Sequence, residues 1–177
     1  RFGTGYLYSS YFNGQVLTLP RSIFLVHADS NTGAVASNYF IDVGNVAVSI
    51  DSSDNLHVFV QGNQVTLANF STHGWVVIDI IQNITDGTIG EATVSFAGLD
   101  GDEIQNNLVS VNSPIDSTNI LTLADGNPPG SIYIGDVILF TTTPSDIDPI
   151  YGELRKLYGY TPIPTTFDEG VKWLDND

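Results

Sequence analysis

Leu56-His-Val-Phe-Val60, Gln61-Gly62-Asn63-Gln64, Val65-Thr-Leu-Ala-Asn-Phe70: two short β-rich runs flank a Gly-Asn pair. In the first run Leu56, Val58 and Val60 alternate with His57 and Phe59. A side-chain period of two places these sets on opposite faces of a strand, with His57 outward. A Gly-Asn pair between two such runs predicts a tight hairpin, because glycine enters the positive-φ region of a two-residue turn without steric cost.

Similar runs continue on both sides. Ser22-Ile-Phe-Leu-Val-His-Ala28 has the continuous apolar pattern of a buried strand, and Asn45-Val-Ala-Val-Ser-Ile50 alternates. Trp75-Val-Val-Ile-Asp-Ile-Ile81 follows the hairpin, and Ala92-Thr-Val-Ser-Phe96, Asn119-Ile-Leu-Thr-Leu123 and Ile132-Tyr-Ile-Gly-Asp-Val-Ile-Leu-Phe140 complete the series. Short strands separated by Gly, Asn, Asp and Pro turns predict an all-β fold, a two-sheet antiparallel sandwich.

Helical spacing occurs once, from Pro144 to Gly159, where Ile147, Ile150, Leu154, Leu157 and Tyr158 fall on one stripe. Ser145 is the expected N-cap, Pro149 fits the first turn, and Asp146 and Asp148 suit the positive end of the helix dipole. Arg155 and Lys156 suit the negative end, and Gly159 is expected in a left-handed conformation just past it. The chain divides into an N-terminal arm or first strand (1–21), a sandwich domain with its closing helix (22–159) and an extended acidic tail or linker (160–177).

Charge excludes several partners. The 177 residues carry 20 Asp and Glu against 5 Lys and Arg, a formal net charge of −15. Between Arg21 and Arg155 there is no cation at all. Nucleic acid and anionic headgroups need clustered cations, so neither is an expected partner. No apolar run has the roughly 20 residues needed to span a bilayer, so membrane insertion is not expected either. The absence of Cys removes disulfides, thiolate metal sites and a cysteine nucleophile. Arg1 shows no signal-peptide pattern, and its place where an initiator Met would stand leads us to expect a processed product or a segment of a longer polypeptide.

Ile134-Gly-Asp-Val-Ile-Leu-Phe140, the turn Pro144-Ser-Asp146 and a helix closing on Leu154-Arg-Lys-Leu-Tyr-Gly159 together resemble the C-terminal signature of concanavalin A-like, laminin-G-like jelly rolls. Leu121-Thr-Leu-Ala-Asp-Gly126, Thr72-His-Gly-Trp75 with the strand after it, and Ser22-Ile-Phe-Leu-Val26 are similar to other strands of that family. The resemblance spans roughly 22–159 and implies a jelly-roll sandwich. Its members include lectins, glycan-degrading enzymes, attachment modules and structural domains of virions, so fold does not choose among functions.

The residues favour binding over catalysis. Glycan hydrolases of this fold carry Glu-x-Asp-x-(x)-Glu on one strand, and none of Glu91, Glu103 and Glu153 begins such a pattern. No Gly-x-Ser-x-Gly occurs, and His27, His57 and His73 have neither triad nor metal-ligand spacing. Asp100, Asp102 and Glu103, with Asn106 and Asn107 in the same expected loop, offer oxygen ligands to a hard cation, which makes calcium the candidate ion, and Asp51-Ser-Ser-Asp-Asn55 is a second, less favoured loop for it. Tyr39 and Tyr133 are the candidate aromatic platforms for a ligand, with Asn106 and Asn107 as polar partners, whereas Trp75 opens an apolar strand and reads as core. Asn69-Phe-Ser71 and Asn83-Ile-Thr85 are acceptor sequons for N-glycosylation.

The expectation is a non-enzymatic, surface-exposed module that attaches to a glycan or a protein within a larger extracellular or virion-surface assembly. The alternative is a purely structural decoration or fibre domain, and a glycan hydrolase stands third. An excess of acid suits a saline medium, where screening shortens self-repulsion to about 8 Å.

Overall fold

Val60 pairs with Asn63 across Gln61 and Gly62, whose φ values are 48° and 80°. Positive φ at both central residues is the two-residue type I′ geometry, and its twist matches that of the strands it joins. The turn therefore centres on Gln-Gly rather than Gly-Asn. A second turn of the same kind joins Thr85 to Thr88 through Asp86 (φ 50°) and Gly87 (φ 72°).

The computed structural model describes residues 7–9, 18–28, 39–115, 121–123, 132–144 and 146–159. In chain order the strands are β1 (Leu7–Ser9), β2 (Arg21–Ala28), β3 (Ile41–Val43), β4 (Val46–Ile50), β5 (Leu56–Val60) and β6 (Asn63–Leu67). Then come a 3₁₀ turn at Phe70–His73, β7 (Val76–Thr85), β8 (Thr88–Gly98), β9 (Glu103–Pro114), β10 (Leu121–Leu123), β11 (Ile132–Phe140) and helix α1 (Asp148–Tyr158). A 6-stranded sheet has the order β1-β10-β3-β4-β5-β6 and a 5-stranded sheet the order β11-β2-β7-β8-β9. Neighbours in both sheets are antiparallel. The protein is thus an all-β sandwich with one short helix near its C-terminal end.

Between the sheets lies the main core, in which Phe24, Val26, Ile78, Ile80, Val94 and Phe96 of one sheet meet Ile41, Val48, Ile50, Leu56, Val58 and Leu67 of the other. A second, smaller core lies outside the five-stranded sheet. There Leu154 of α1 packs on Ile23, Leu25 and Val77, with Trp75, Ile138 and Tyr158 around it. Strands β2 and β7 are therefore buried on both faces, which is why their sequences are apolar almost without interruption. Strand β5 is buried on one face only and alternates.

The helix covers an ion pair as well as apolar side chains. Arg21 donates from Nε to Asp79 Oδ1 at 2.9 Å and from Nη2 to Asp79 Oδ2 at 2.5 Å, a two-pronged contact with side-chain exposures of 11% and 8%. The hydrogen bond to Asp79 holds the guanidinium pKa above its usual value against the opposing effect of desolvation. Tyr151 stands over this pair, and burial first, then the Asp79 charge, push its pKa up to about 12. At the far end of the helix, burial and a hydrogen bond to Asp136 raise the pKa of Tyr158. Gly135 gives that ring its room, since a Cβ there would stand 2.8 Å from Leu25 Cδ2 and 3.1 Å from Tyr158 Cζ.

Several local expectations need correction. Helix α1 begins at Asp148 with Ile147 at the N-cap, and the expected cap, Ser145, lies outside the described residues. Asp146 Oδ1 accepts the Asp148 N–H instead, at 2.9 Å. Gly159 is right-handed (φ −73°, ψ −23°), because its N–H continues the helical pattern by bonding Arg155 O. The run Val65–Phe70 leaves the sheet after Leu67, and Phe70 opens the 3₁₀ turn behind Asn69 at φ 54°. Strands β3 and β9 have no counterpart in the sequence-based series. The tail from 160 onward lies outside the described residues.

Candidate functional site

Strand pairing arranges the outer face of the six-stranded sheet in rows. Asp42 pairs with Ala47, Ala47 with Phe59, and Phe59 with Gln64, which gives one row across β3, β4, β5 and β6. Ser49, His57 and Thr66 form the next row. These are the residues that alternate with the buried Val48, Val58 and Val65, so the period of two that builds the core also sets this face. The one described helix lies on the other sheet, and this face keeps a polar and aromatic surface.

Its side chains are held in place. Asp51 Oδ1 accepts the backbone N–H groups of Ser53 and Asn55 at 2.8 and 3.0 Å, and Oδ2 accepts Asn55 Nδ2 at 2.9 Å and His57 Nε2 at 3.1 Å. Desolvation works to raise the Asp51 pKa, but the hydrogen bonds from Asn55, His57 and Ser53 outweigh it and bring the value down to about 2. A carboxylate only accepts, so His57 carries a proton on Nε2. Nδ1 then serves as the acceptor facing Gln64 Nε2 at 2.8 Å and Thr66 Oγ1 at 2.9 Å.

In outline this is a hydroxyl–imidazole–carboxylate series. However, the Gln64 amide occupies the Nδ1 lone pair that a base would use to take the Thr66 proton, so the network orients side chains rather than activating a nucleophile. Beside it the Tyr39 ring, 40% exposed, meets the Phe59 ring edge-on with centroids 5.3 Å apart, and His57 lies 6.2 Å from Phe59. Two aromatic rings next to amide, hydroxyl and carboxylate groups form a surface that can stack on a flat ligand face and hydrogen-bond its edge.

The structure does not gather the sequence-derived ligand residues. Tyr39 is on this face. Tyr133 stands outside the five-stranded sheet, half-buried and stacked on His27 with centroids 5.7 Å apart, while Trp75 flanks His27 at 5.5 Å. Asn106 and Asn107 were expected in a loop but lie within β9, where a strand's alternation turns them to opposite sides. Asn106 pairs with Ser95 and is exposed, whereas Asn107 pairs with the core residue Val94 and donates to its carbonyl at 3.4 Å. The acidic candidates stay close to one another in the turn into β9, where Glu103 Oε2 accepts Asn106 Nδ2 at 3.4 Å. Asp100 Oδ1 accepts the Asp102 N–H at 3.1 Å, and Glu103 opens β9. Among the described residues no three of His, Asp and Glu are placed to hold a metal ion.

Phe59, Gln64 and Thr66 were missed as site residues. The alternation of Leu56–Val60 and of Asn63–Leu67 does mark them as outward, but nothing in the linear chain places Tyr39 against Phe59. The described cations lie elsewhere: Arg21 is bound to Asp79, and Arg155 and Lys156 are on α1. Among the described residues no helix is long and apolar enough to cross a membrane. No protein-family model matches the chain, and no curated protein matches it.

Proposed function

We propose that the protein is a non-catalytic attachment module of the concanavalin A-like, laminin-G-like kind, which binds a glycan through the outer face of its six-stranded sheet in an extracellular or virion-surface setting. The observation that carries this is the fixed polar and aromatic surface of Tyr39, His57, Phe59, Gln64 and Thr66. The two-sheet antiparallel architecture and the helix that closes on the five-stranded sheet agree with the family resemblance. An acidic surface suits a saline medium, where charge repulsion between copies is screened. A glycan array probed with and without calcium tests the proposal: binding to any glycan class supports it, and uniform absence of binding sinks it.

A second reading, a structural domain acting in assembly, rests on a different observation. Strand β9 runs for 12 residues at one edge of its sheet and displays Leu108 at 69% exposure. A long edge with an exposed apolar side chain invites pairing with another chain. Sedimentation across a concentration series tests it, and a strictly monomeric protein speaks against it.

A further inference from the structure

We infer that the glycan held by the outer face of the six-stranded sheet is uncharged, with one pyranose stacked on Phe59 beside Tyr39 and its hydroxyls bonded at Gln64. This rests on the proposed glycan attachment and specifies its ligand class and its footing.

Charge supplies the first reason. Sialylated, uronic and sulfated glycans carry anions that proteins meet with Arg or Lys, usually by paired N–H donors. No described Lys or Arg stands on this face, and the sequence has none from Ser22 to Leu154. The described charge beside Phe59 is negative: Asp51 is held ionised against His57, whose ring lies 6.2 Å from that of Phe59. An anionic sugar there would face like charge and find no described cation to offset it.

Chemistry supplies the second. The C–H groups on one face of a pyranose carry slight positive charge and are attracted to the negative face of an aromatic ring. Phe59 is half-buried, steadied edge-on by Tyr39, and bordered on β4 by Ala47, which has no side-chain atom beyond Cβ. A ring in that position keeps a low conformational cost on binding because its rotamer is already fixed. On the other side Gln64 is exposed, and its Nε2 is committed to His57 Nδ1 and Thr66 Oγ1. Its carbonyl oxygen accepts no hydrogen bond from the groups that hold the amide nitrogen, and it can take a proton from a sugar hydroxyl. The His57–Asp51 contact thus fixes which end of Gln64 points outward. His57 and Asp51 are positioning residues, and Phe59, Tyr39 and Gln64 make the contact.

The test is a panel of neutral gluco-, galacto- and manno-configured oligosaccharides alongside sialylated and sulfated oligosaccharides, read by calorimetry on the full chain. Neutral sugars are expected to bind and the anionic ones are not. Phe59→Ala should weaken binding about tenfold, the scale of one aromatic contact, while Phe59→Trp retains it. Gln64→Ala, at an exposed position that bears little on folding, should weaken binding several-fold, and Tyr133→Ala on the other sheet should leave it unchanged. Binding confined to sialylated or sulfated sugars overturns this inference while leaving glycan attachment standing. Neutral-sugar binding that survives both Phe59→Ala and Gln64→Ala overturns the placement. Absence of binding to every sugar overturns the attachment function as well.

Discussion

The two outer faces of the sandwich begin from the same strand geometry and end differently. Outside the five-stranded sheet, Ile23, Leu25 and Val77 project from β2 and β7, and α1 buries them under Leu154, which is 3% exposed. Outside the six-stranded sheet, the equivalent positions are Ala47, Ser49, His57, Phe59, Gln64 and Thr66, bordered by a network that ends on Asp51. One face is a structural joint, where apolar area leaves water; the other leaves Gln64 and Tyr39 exposed and Phe59 half-buried beside them. Substitutions on the first should therefore act on stability, and those on the second on binding.

The largest effect is expected at the covered ion pair. Asp79→Leu strands the Arg21 guanidinium under the helix and should cost about 3–5 kcal/mol in denaturant unfolding, whereas Arg21→Met combined with Asp79→Leu should recover most of it. If the double variant is as unstable as the single one, the pair matters for shape and not for charge balance. Next comes Leu154→Ala, expected to cost about 3 kcal/mol by opening a cavity between α1 and the sheet. A loss under about 1 kcal/mol would mean that the helix is not anchored there. Gly135→Ala should follow at about 1–3 kcal/mol, since the new methyl group meets Leu25 and Tyr158.

On the wet face the effects are smaller. The folded-state pKa of Asp51 is depressed to about 2 from its ordinary value of 3.8. Its contribution to stability is thus fully present above about pH 4 and lost as pH falls toward 2. With the side chain 36% exposed, solvent screening holds this contribution below about 1 kcal/mol. Comparing acid unfolding of the wild type and Asp51→Asn checks it, and identical acid limbs would refute the assignment. Gln64→Ala should be the mildest, within about 0.5 kcal/mol of wild-type stability, even though it is the variant expected to weaken the proposed sugar binding.

The contrast between the faces was partly legible in the chain. Ser22–Ala28 and Trp75–Ile81 are apolar at nearly every position, which a strand needs only when both of its sides are buried, and the stripe of α1 supplies the missing cover. Leu56–Val60 alternates, and alternation leaves one side wet. The polar run of β9 hid its strand, because Gln105-Asn-Asn107 looks like a loop until neighbouring β8 satisfies its backbone. The Asp86-Gly87 turn is the local signal that joins β7 to β8 over their full length.

Patterning of apolar residues along the chain was enough to establish most of the strands, the helix and the antiparallel sandwich, though not β3 or β9, because burial periodicity is a local property of consecutive residues. Charge composition was enough to argue against nucleic acid as an expected partner, since electrostatic neutralisation depends on counts. Which residues share a surface is different in kind. Tyr39 reaches Phe59 across 20 positions, Arg21 meets Asp79 across 58, and Asn106 parts from Asn107 by facing the other way. Those relations follow from sheet order and register, which long-range pairing sets and no local window contains.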